Sequence, residues 1–225
     1  MEIIILFFTL WYGGLFFQTF FLHRYAAHQT FTMSNVSEKV TYVLTWLFQG
    51  SNYLSAYGYG VMHRIHHAYA DTKQDPHSPK YDGNLFAMMW KTKTIYSKIA
   101  SGEELPEKRF TDGVPKWEFF DKFARSWPSR LFWGAAYVGI YYLFATEIWL
   151  WALLPMQFLF SPIHGAIINW FAHKYGYRNY EVKDTSRNFL PFDFLMMGES
   201  YHNNHHKYGS RPNFGGIRWH EIDPT

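Results

Sequence analysis

Two long apolar regions alternate with polar, proline-containing segments along the chain. Residues 3–22 contain no charged side chain, and twenty residues are about what a helix needs to cross the hydrocarbon core of a bilayer. Between 131 and 172 the only charge is Glu147, which divides this region in two. The pattern predicts an all-α integral membrane protein with three spans, at about 3–22, 129–146 and 148–172, the last two forming a hairpin that turns at Glu147.

The lysines and arginines provide an independent signal for the orientation. All 21 lie either between Arg24 and Arg130 or between Lys174 and Arg218, and none lies in the apolar regions. Segments rich in Lys and Arg stay on the cytoplasmic side of a membrane. We therefore expect the N-terminus outside and the polar segments in the cytoplasm. As the location we predict a bacterial inner membrane.

The polar segments are predicted to form a cytosolic helical cap. It would consist of 23–128 and 173–225, within a single domain, 1–225. Residues 71–128 are polar and interrupted by proline, which predicts short helices and turns.

One part of this cap, residues 38–62, has an ambiguous pattern. Residues 40–48 are apolar, but a polar run follows at once and the stretch is too short to span. We expect an interfacial or re-entrant helix here, with Trp46 and Phe48 at the level of the lipid headgroups.

Two further features limit the class of protein. The first apolar region lacks the positively charged start of a secretory signal, so it predicts a retained anchor. The chain has no cysteine, which excludes disulfides, thiolate ligands and an iron–sulfur cluster within it. Electrons for any redox reaction would have to come from a separate donor.

Eight of the 12 histidines fall into three short motifs. Neutral imidazole is the commonest side-chain metal ligand near neutral pH, so the motifs indicate a metal site. In a helix, positions i, i+3 and i+4 lie within about 100° of one another, so we expect the imidazoles of each three-histidine motif to converge on one small volume. The motifs consist of His23 and His28; of His63, His66 and His67; and of His202, His205 and His206.

The number and type of these ligands indicate which metal they bind. A structural zinc takes four ligands, so eight or more imidazoles in one place exceed one zinc and favour two metals. Soft copper sites usually include Cys or Met, which the motifs lack. Iron accepts imidazole and activates dioxygen, as a membrane enzyme acting on hydrocarbon would need. A dinuclear iron site follows.

The same motifs resemble those of the membrane fatty acyl desaturases. His23 and His28 stand at the spacing of the first histidine box in that family, residues 63–67 at that of the second, and residues 202–206, preceded by Gly198 and Glu199, at that of the third. Residues 169–173, with Asn first and His last, are similar to another element of the family. The resemblance covers nearly the whole chain and is closest to acyl-CoA desaturases of the stearoyl-CoA, delta-9 type.

The resemblance implies a single fatty acid desaturase domain that introduces a cis double bond into a saturated acyl chain. It implies two iron ions (Fe2+/Fe3+), O2 as co-substrate, and electrons from a ferredoxin or a cytochrome-type carrier with its reductase. The substrate would be a long-chain acyl-CoA or acyl-lipid, and no nucleic acid would bind. The implied metal residues are His23, His28, His63, His66, His67, His173, His202, His205 and His206, with Asn169 acting through water.

Substrate contacts are predicted at two groups of residues. Lys91 and Lys93 occupy the region where the family places basic residues against the coenzyme phosphates, although a solvated positive face explains them equally well. An aromatic-lined tunnel would draw on Trp46, Tyr53 and Trp170, together with Phe48 and Phe171. Core or headgroup-belt packing explains these aromatic residues equally well.

Three other functions remain open from the sequence. A fatty acyl or sterol hydroxylase shares the histidine boxes and differs in how its substrate approaches. A membrane metal transporter would place its ligands within the spans. A family member with shortened ends could bind metal and be inactive. Of the remaining histidines, His77 is expected in a turn, His164 at the membrane edge and His220 on the surface.

Overall fold

The computed structural model describes residues 1–225 and is all-helical, with isolated bridges in place of β-strands. Ten α-helices follow one another, joined in places by helices of other types. The α-helices are α1 (Glu2–Phe17), α2 (Asn35–Gln49), α3 (Ala56–Tyr69), α4 (Leu85–Ser101), α5 (Lys108–Thr111), α6 (Glu118–Ala124), α7 (Trp127–Phe144), α8 (Leu153–Phe158), α9 (Phe160–Asn169) and α10 (His202–Lys207). A π-helix spans Gln18–Ala27, and 3-10 helices span Gly50–Asn52, Ile148–Ala152 and Phe171–His173.

Capping side chains fix where four of these helices begin. Ser34, Ser55 and Ser126 accept hydrogen bonds from backbone amides in the first turns of α2, α3 and α7, and Asn84 does so for α4. Each satisfies a donor that the start of a helix leaves free. The helix starts are therefore set by local sequence.

The first apolar region continues beyond its predicted end. Helix α1 passes without a break into the π-helix, so one helical rod runs from Glu2 to Ala27 and includes His23. The sequence predicted a membrane segment at 3–22 and placed the first histidine motif just after its end. The structure places His23 inside the same rod, on its last turns.

One helix is long and apolar enough to cross a membrane, and a second candidate exists if a bent pair counts as one span. The first is Glu2–Ala27, and the second joins Ile148–Phe158 to Phe160–His173 across a bend of 61°. Helix α7 has the length of a span, but its tryptophans and tyrosines make it less apolar than an aliphatic helix. The predicted count of three spans stays a prediction. Glu147 is exposed in the connection after α7, where the sequence predicts a turn.

The ambiguous segment 38–62 contains parts of two helices. Helix α2 ends at Gln49, and Gly50, with φ of 54°, begins a short turn that leads into α3. Helix α2 packs along α1, where a Cβ on Gly13 would lie 2.1 Å from the ring of Phe48. A glycine is required there because the ring occupies that space.

The cap around the histidines is built on α3. Helix α3 packs against both the π-helix and α4, and a Cβ on Gly60 would lie 3.1 Å from the carbonyl oxygen of Ala26. This close approach brings the second histidine motif next to the first. Residues 71–128 contain the 17-residue helix α4 besides the short helices expected there.

Candidate metal centre

Nine histidines bring ring nitrogens together in two adjacent groups within the protein. In each group, one nitrogen of every residue lies within 4.8 Å of those of the others. Most of the nine side chains are buried, and the remainder are half-buried. The five-histidine cluster consists of His23, His28, His63, His67 and His205, and the four-histidine cluster of His66, His173, His202 and His206.

Each three-histidine motif is divided between the two clusters, which corrects the expectation that its imidazoles share one volume. His63 and His67 belong to one cluster and His66 to the other. Positions i and i+4 lie about 40° apart around an α-helix, whereas i+3 lies about 100° from i+4. The third motif follows the same rule, since His202 and His206 lie together and His205 lies in the opposite cluster.

The π-helix explains how His23 and His28 reach the same cluster. In an α-helix, residues five apart point about 140° away from each other. A π-helix closes on i→i+5 hydrogen bonds, so residues five apart lie on successive turns of one face. The amide of His28 donates to the carbonyl oxygen of His23 at 3.1 Å, which is such a bond. The motif was recognisable from its residues, but the π-helix that brings both rings to one face was not predicted.

Within the clusters the Nε2 atoms face one another. The Nε2–Nε2 distance is 3.0 Å for His23 and His205, 2.9 Å for His28 and His63, and 2.9 Å for His67 and His205. In the four-histidine cluster it is 3.3 Å for His66 and His206 and 3.0 Å for His173 and His202. Two nitrogens bound at right angles to one ion, each about 2.1 Å from it, lie about 3 Å apart. These separations fit pairs of ligands on shared ions.

The protonation state of the rings suits metal binding. Burial lowers the pKa of His63, His67, His202 and His205 well below the usual value, and the neighbouring imidazoles lower it further. Burial also lowers the pKa of His206, to about 4, against the opposing effect of Asp184. Neutral imidazoles have the free lone pair that a metal needs. The donor set therefore fits two metal ions.

Carboxylates contact the outer nitrogens of four of these rings. The Nδ1 atom lies 2.6 Å from Glu199 for His23 and 2.8 Å from Asp75 for His66. It lies 3.1 Å from Asp184 for His206 and 3.6 Å from Asp71 for His173. A metal-bound histidine usually donates its second N–H to such a group, which fixes the tautomer and the ring orientation.

The sequence model of the fatty acid desaturase family matches residues 2–224. The chain belongs to the fatty acid desaturase family. It is 31% identical over 219 residues to the delta-9 desaturase-like 5 protein of Arabidopsis thaliana, covering 92% of this chain and 66% of that protein.

Other curated desaturases differ in the substrates that their names state. The chain is 28% identical over 207 residues to the sn-1 stearoyl-lipid 9-desaturase of a Synechocystis species, covering 90% of this chain and 60% of that protein. It is 28% identical over 217 residues to an acyl-CoA 5-desaturase of Anemone leveillei, covering 94% and 63%. The chain thus spans about two thirds of the length of these relatives.

In this member of the desaturase family, His173 and Asn169 lie at the end of the bent apolar helix pair. Helix α9 ends at Asn169, and His173 follows in a 3-10 helix that directs its ring into the four-histidine cluster. Asn169 is half-buried, and its side chain forms no hydrogen bond with the histidines. The predicted contact of Asn169 with a metal ion through water stays a prediction.

The two lysines predicted to bind phosphate both contact other groups of this chain. Lys91 donates to the backbone carbonyl of Asp75 at 2.8 Å and pairs with Asp82 at 3.2 Å. Lys93 lies over the ring of Trp90, 4.3 Å from its centre. Lys91 therefore supports the loop beside the four-histidine cluster.

The first two predicted tunnel residues lie in packed surroundings. Trp46 donates its indole N–H to Ser129 at 2.8 Å, which ties α2 to α7. Tyr53 is buried in the apolar core and donates its hydroxyl to Asp121 at 2.8 Å.

The other three aromatic candidates lie on different elements. Trp170 lies under Lys174, whose Nζ is 3.5 Å from the ring centre. Phe48 packs against α1, and Phe171 stacks on a neighbouring tyrosine. These contacts are typical of packed and surface aromatic residues, and the role of the five residues in a tunnel stays a prediction.

The three remaining histidines lie outside the two clusters. His77 is in the turn expected of it, but it is buried, with its ring 4.1 Å from that of His66 and neither ring nitrogen hydrogen-bonded. His164 is buried against Phe160 in α9. His220 is half-buried among aromatic rings at the surface.

The carboxylates were not predicted from the sequence as functional residues. Glu199 and Asp75 stand near histidine motifs in the sequence, and that proximity was the available signal. Asp71 and Asp184 reach their histidines only through the fold, with Asp71 also accepting from the backbone and side chain of Thr185. Glu221 accepts from Asn204 within the third motif, and it lies in the ending 219–224, which resembles the family in sequence, but no functional role was predicted for it.

Proposed function

We propose that this chain is an oxygen-dependent fatty acyl desaturase that introduces a cis double bond into a long saturated acyl chain. The observation that carries the proposal is the pair of adjacent histidine clusters in a member of the desaturase family. Their rings face each other through Nε2, and carboxylates contact four of them through Nδ1. A packed core does not need nine converging imidazoles.

The two clusters would each hold one iron ion, with Asn169 reaching one of them through water. Bound iron supplies dioxygen activation, which unactivated methylenes require. The residues of the chain hold the rings in place, keep them neutral by burial, and keep bulk water away. Because the chain has no cysteine, electrons would come from a ferredoxin or a cytochrome-type carrier with its reductase.

The family resemblance implies an acyl chain of about sixteen to eighteen carbons, and an apolar tunnel would suit it because each buried methylene contributes about 0.8 kcal/mol. We propose coenzyme A as its handle, with Lys91 and Lys93 near the phosphates. Lys91 would then exchange its contact with Asp82 for a phosphate oxygen. One relative is named as a desaturase of a stearoyl-lipid and another as a desaturase of acyl-CoA, so a glycerolipid substrate is the alternative outcome.

We also propose that the chain crosses a bacterial inner membrane three times, as one domain with its histidines on the cytoplasmic side. The distribution of the 21 basic residues supports this orientation. Reporter proteins fused at Met1 and at Thr225 show directly on which side of the membrane each end lies. An extracytoplasmic signal at Met1 and a cytoplasmic one at Thr225 are expected, and the same side for both would refute three spans.

The decisive experiment expresses the chain in a host that lacks its own desaturase and analyses the fatty acids. A new cis-monounsaturated acyl chain, together with two irons per purified chain, is the expected result. Hydroxylated products would assign a hydroxylase instead. Two bound irons without any product would identify an inactive metal-binding protein, and one zinc without iron would refute the di-iron centre.

A further inference from the structure

The last residues of the chain cover the five-histidine cluster. We call residues 211–225 the closing segment. Its Phe214 is buried, with its ring centre 4.3 Å from that of His205 and 5.3 Å from that of His23. This ring therefore forms part of the wall of the cluster, although Phe214 has no atom that binds a metal.

A chain of buried charges fastens the closing segment to His23. Asp223 accepts a hydrogen bond from Arg24 at 2.7 Å, and Arg24 donates to Glu199 at 3.1 Å. The other oxygen of Glu199 lies 2.6 Å from His23 Nδ1. Arg24 also stacks its guanidinium over Phe214, 4.0 Å from the ring centre.

A second anchor holds the other side of the segment. Buried Glu221 accepts from the side chain of Asn204 at 3.1 Å, and Asn204 also donates to the carbonyl oxygen of Phe214 at 2.9 Å. Asn204 lies in α10 between His202 and His205. Glu221 further accepts the hydroxyl of Tyr177 at 2.7 Å. The helix carrying the third motif is thereby tied to the closing segment.

We propose that the closing segment positions the five-histidine cluster for its metal ion, with Asp223 and Glu221 as positioning residues. The proposal rests on the proposed di-iron function. Neither residue contacts a histidine, so each acts through a neighbour, Asp223 through Arg24 and Glu221 through Asn204.

The physical reason is the balance of buried charge. Arg24 has a carboxylate on each side, and removal of one leaves a buried cation short of a partner. In Asp223→Asn the full charge of Arg24 then acts on Glu199, which competes with the contact between Glu199 and His23. Weakened outer contacts lower metal affinity, typically by about 10- to 100-fold.

The test measures iron release to an excess of chelator from the purified, iron-loaded protein. In Asp223→Asn we expect one of the two irons to leave about 10- to 100-fold faster than in the wild type, with the other unchanged. Retention of that second iron shows that the variant is folded. Glu221→Gln should act in the same direction. Asp112→Asn removes the same charge from an exposed position and should release both irons at wild-type rates.

A second measurement uses the wild-type protein alone. Exposed Arg218 lies within the closing segment, and trypsin cleavage after it releases residues 219–225. If metal and closure are coupled, each must favour the other, so iron should slow this cleavage.

The possible failures are distinguishable. Wild-type protein that holds two irons, with wild-type release rates in Asp223→Asn and cleavage at Arg218 independent of iron, overturns the positioning role alone. Wild-type protein that holds no iron after loading overturns the proposed function, and this inference with it.

Discussion

Asp75 allows a sharp test of how a carboxylate tunes the four-histidine cluster. Its Oδ1 atom lies 2.8 Å from His66 Nδ1 and accepts the backbone amide of His77 at 2.9 Å, while Oδ2 accepts the amide of Asp71 at 2.8 Å. In Asp75→Asn, the remaining oxygen can keep the first two contacts. The new amide group then faces the N–H of Asp71, so two donors meet.

The size of the effect follows from these contacts. A hydrogen bond to a charged group is worth about 1.5–3 kcal/mol, so the loss of the contact with Asp71 should lower the free energy of unfolding by about that amount. The neutral amide also holds His66 less strongly than the carboxylate does. Metal affinity at the four-histidine cluster should fall about 10- to 100-fold, which is about 1.4–2.7 kcal/mol.

The assay follows iron release to a chelator in two kinetic phases, alongside thermal unfolding. The five-histidine cluster is an internal control, because Asp75 contacts none of its members. The phase belonging to the four-histidine cluster should accelerate while the other stays constant. Lower stability with both phases unchanged would show that Asp75 only holds its loop, and would refute the argument from its contact with His66.

Three further predictions concern turnover, pH and substrate. His202→Ala should abolish turnover because it opens a coordination position, whereas His220→Ala, outside both clusters, should keep it; the opposite pattern would overturn the ligand assignment. Burial lowers the pKa of His202 and four other cluster histidines below 6.5. Near that pH these imidazoles stay neutral in the folded, metal-free protein, whereas in the unfolded chain they take up protons. The urea stability of the metal-free protein should therefore be flat above about pH 7.5 and fall as pH drops through 6.5, and a flat profile from pH 7 to 5 would contradict the burial argument. Lys91→Glu combined with Lys93→Glu should raise KM for acyl-CoA at low salt and less at high salt, and an unchanged KM with activity on phospholipid vesicles would favour a lipid-linked substrate.

The convergence of the histidines could be predicted from the sequence because of their spacing. His63, His66 and His67 occupy positions of a helix whose geometry is known in advance. Their division between two clusters also follows from that geometry, but it becomes apparent only once the partners from α10 and the π-helix are in place. The all-helical character of the fold was equally accessible, since the long apolar regions favour helices.

Other features could not be obtained from local patterns. Asp184 contacts His206 across 22 residues of irregular chain, and no periodicity reports such a contact. The π-helix at His23 leaves no trace in hydrophobic periodicity. Lys91 was predicted to contact phosphate, but it pairs with Asp82. The proximity of these two residues depends on how the loop before α4 folds.

The unbroken rod from Glu2 to Ala27 joins a candidate membrane span to the candidate metal centre. Its first part is the strongest candidate for a membrane span, and its last turns carry His23. A spanning helix tilts when its apolar length and the thickness of the bilayer differ. If the rod spans a bilayer, a change in its tilt would move His23 relative to the rings on α3 and α10, so lipid thickness would alter the geometry of the candidate metal centre.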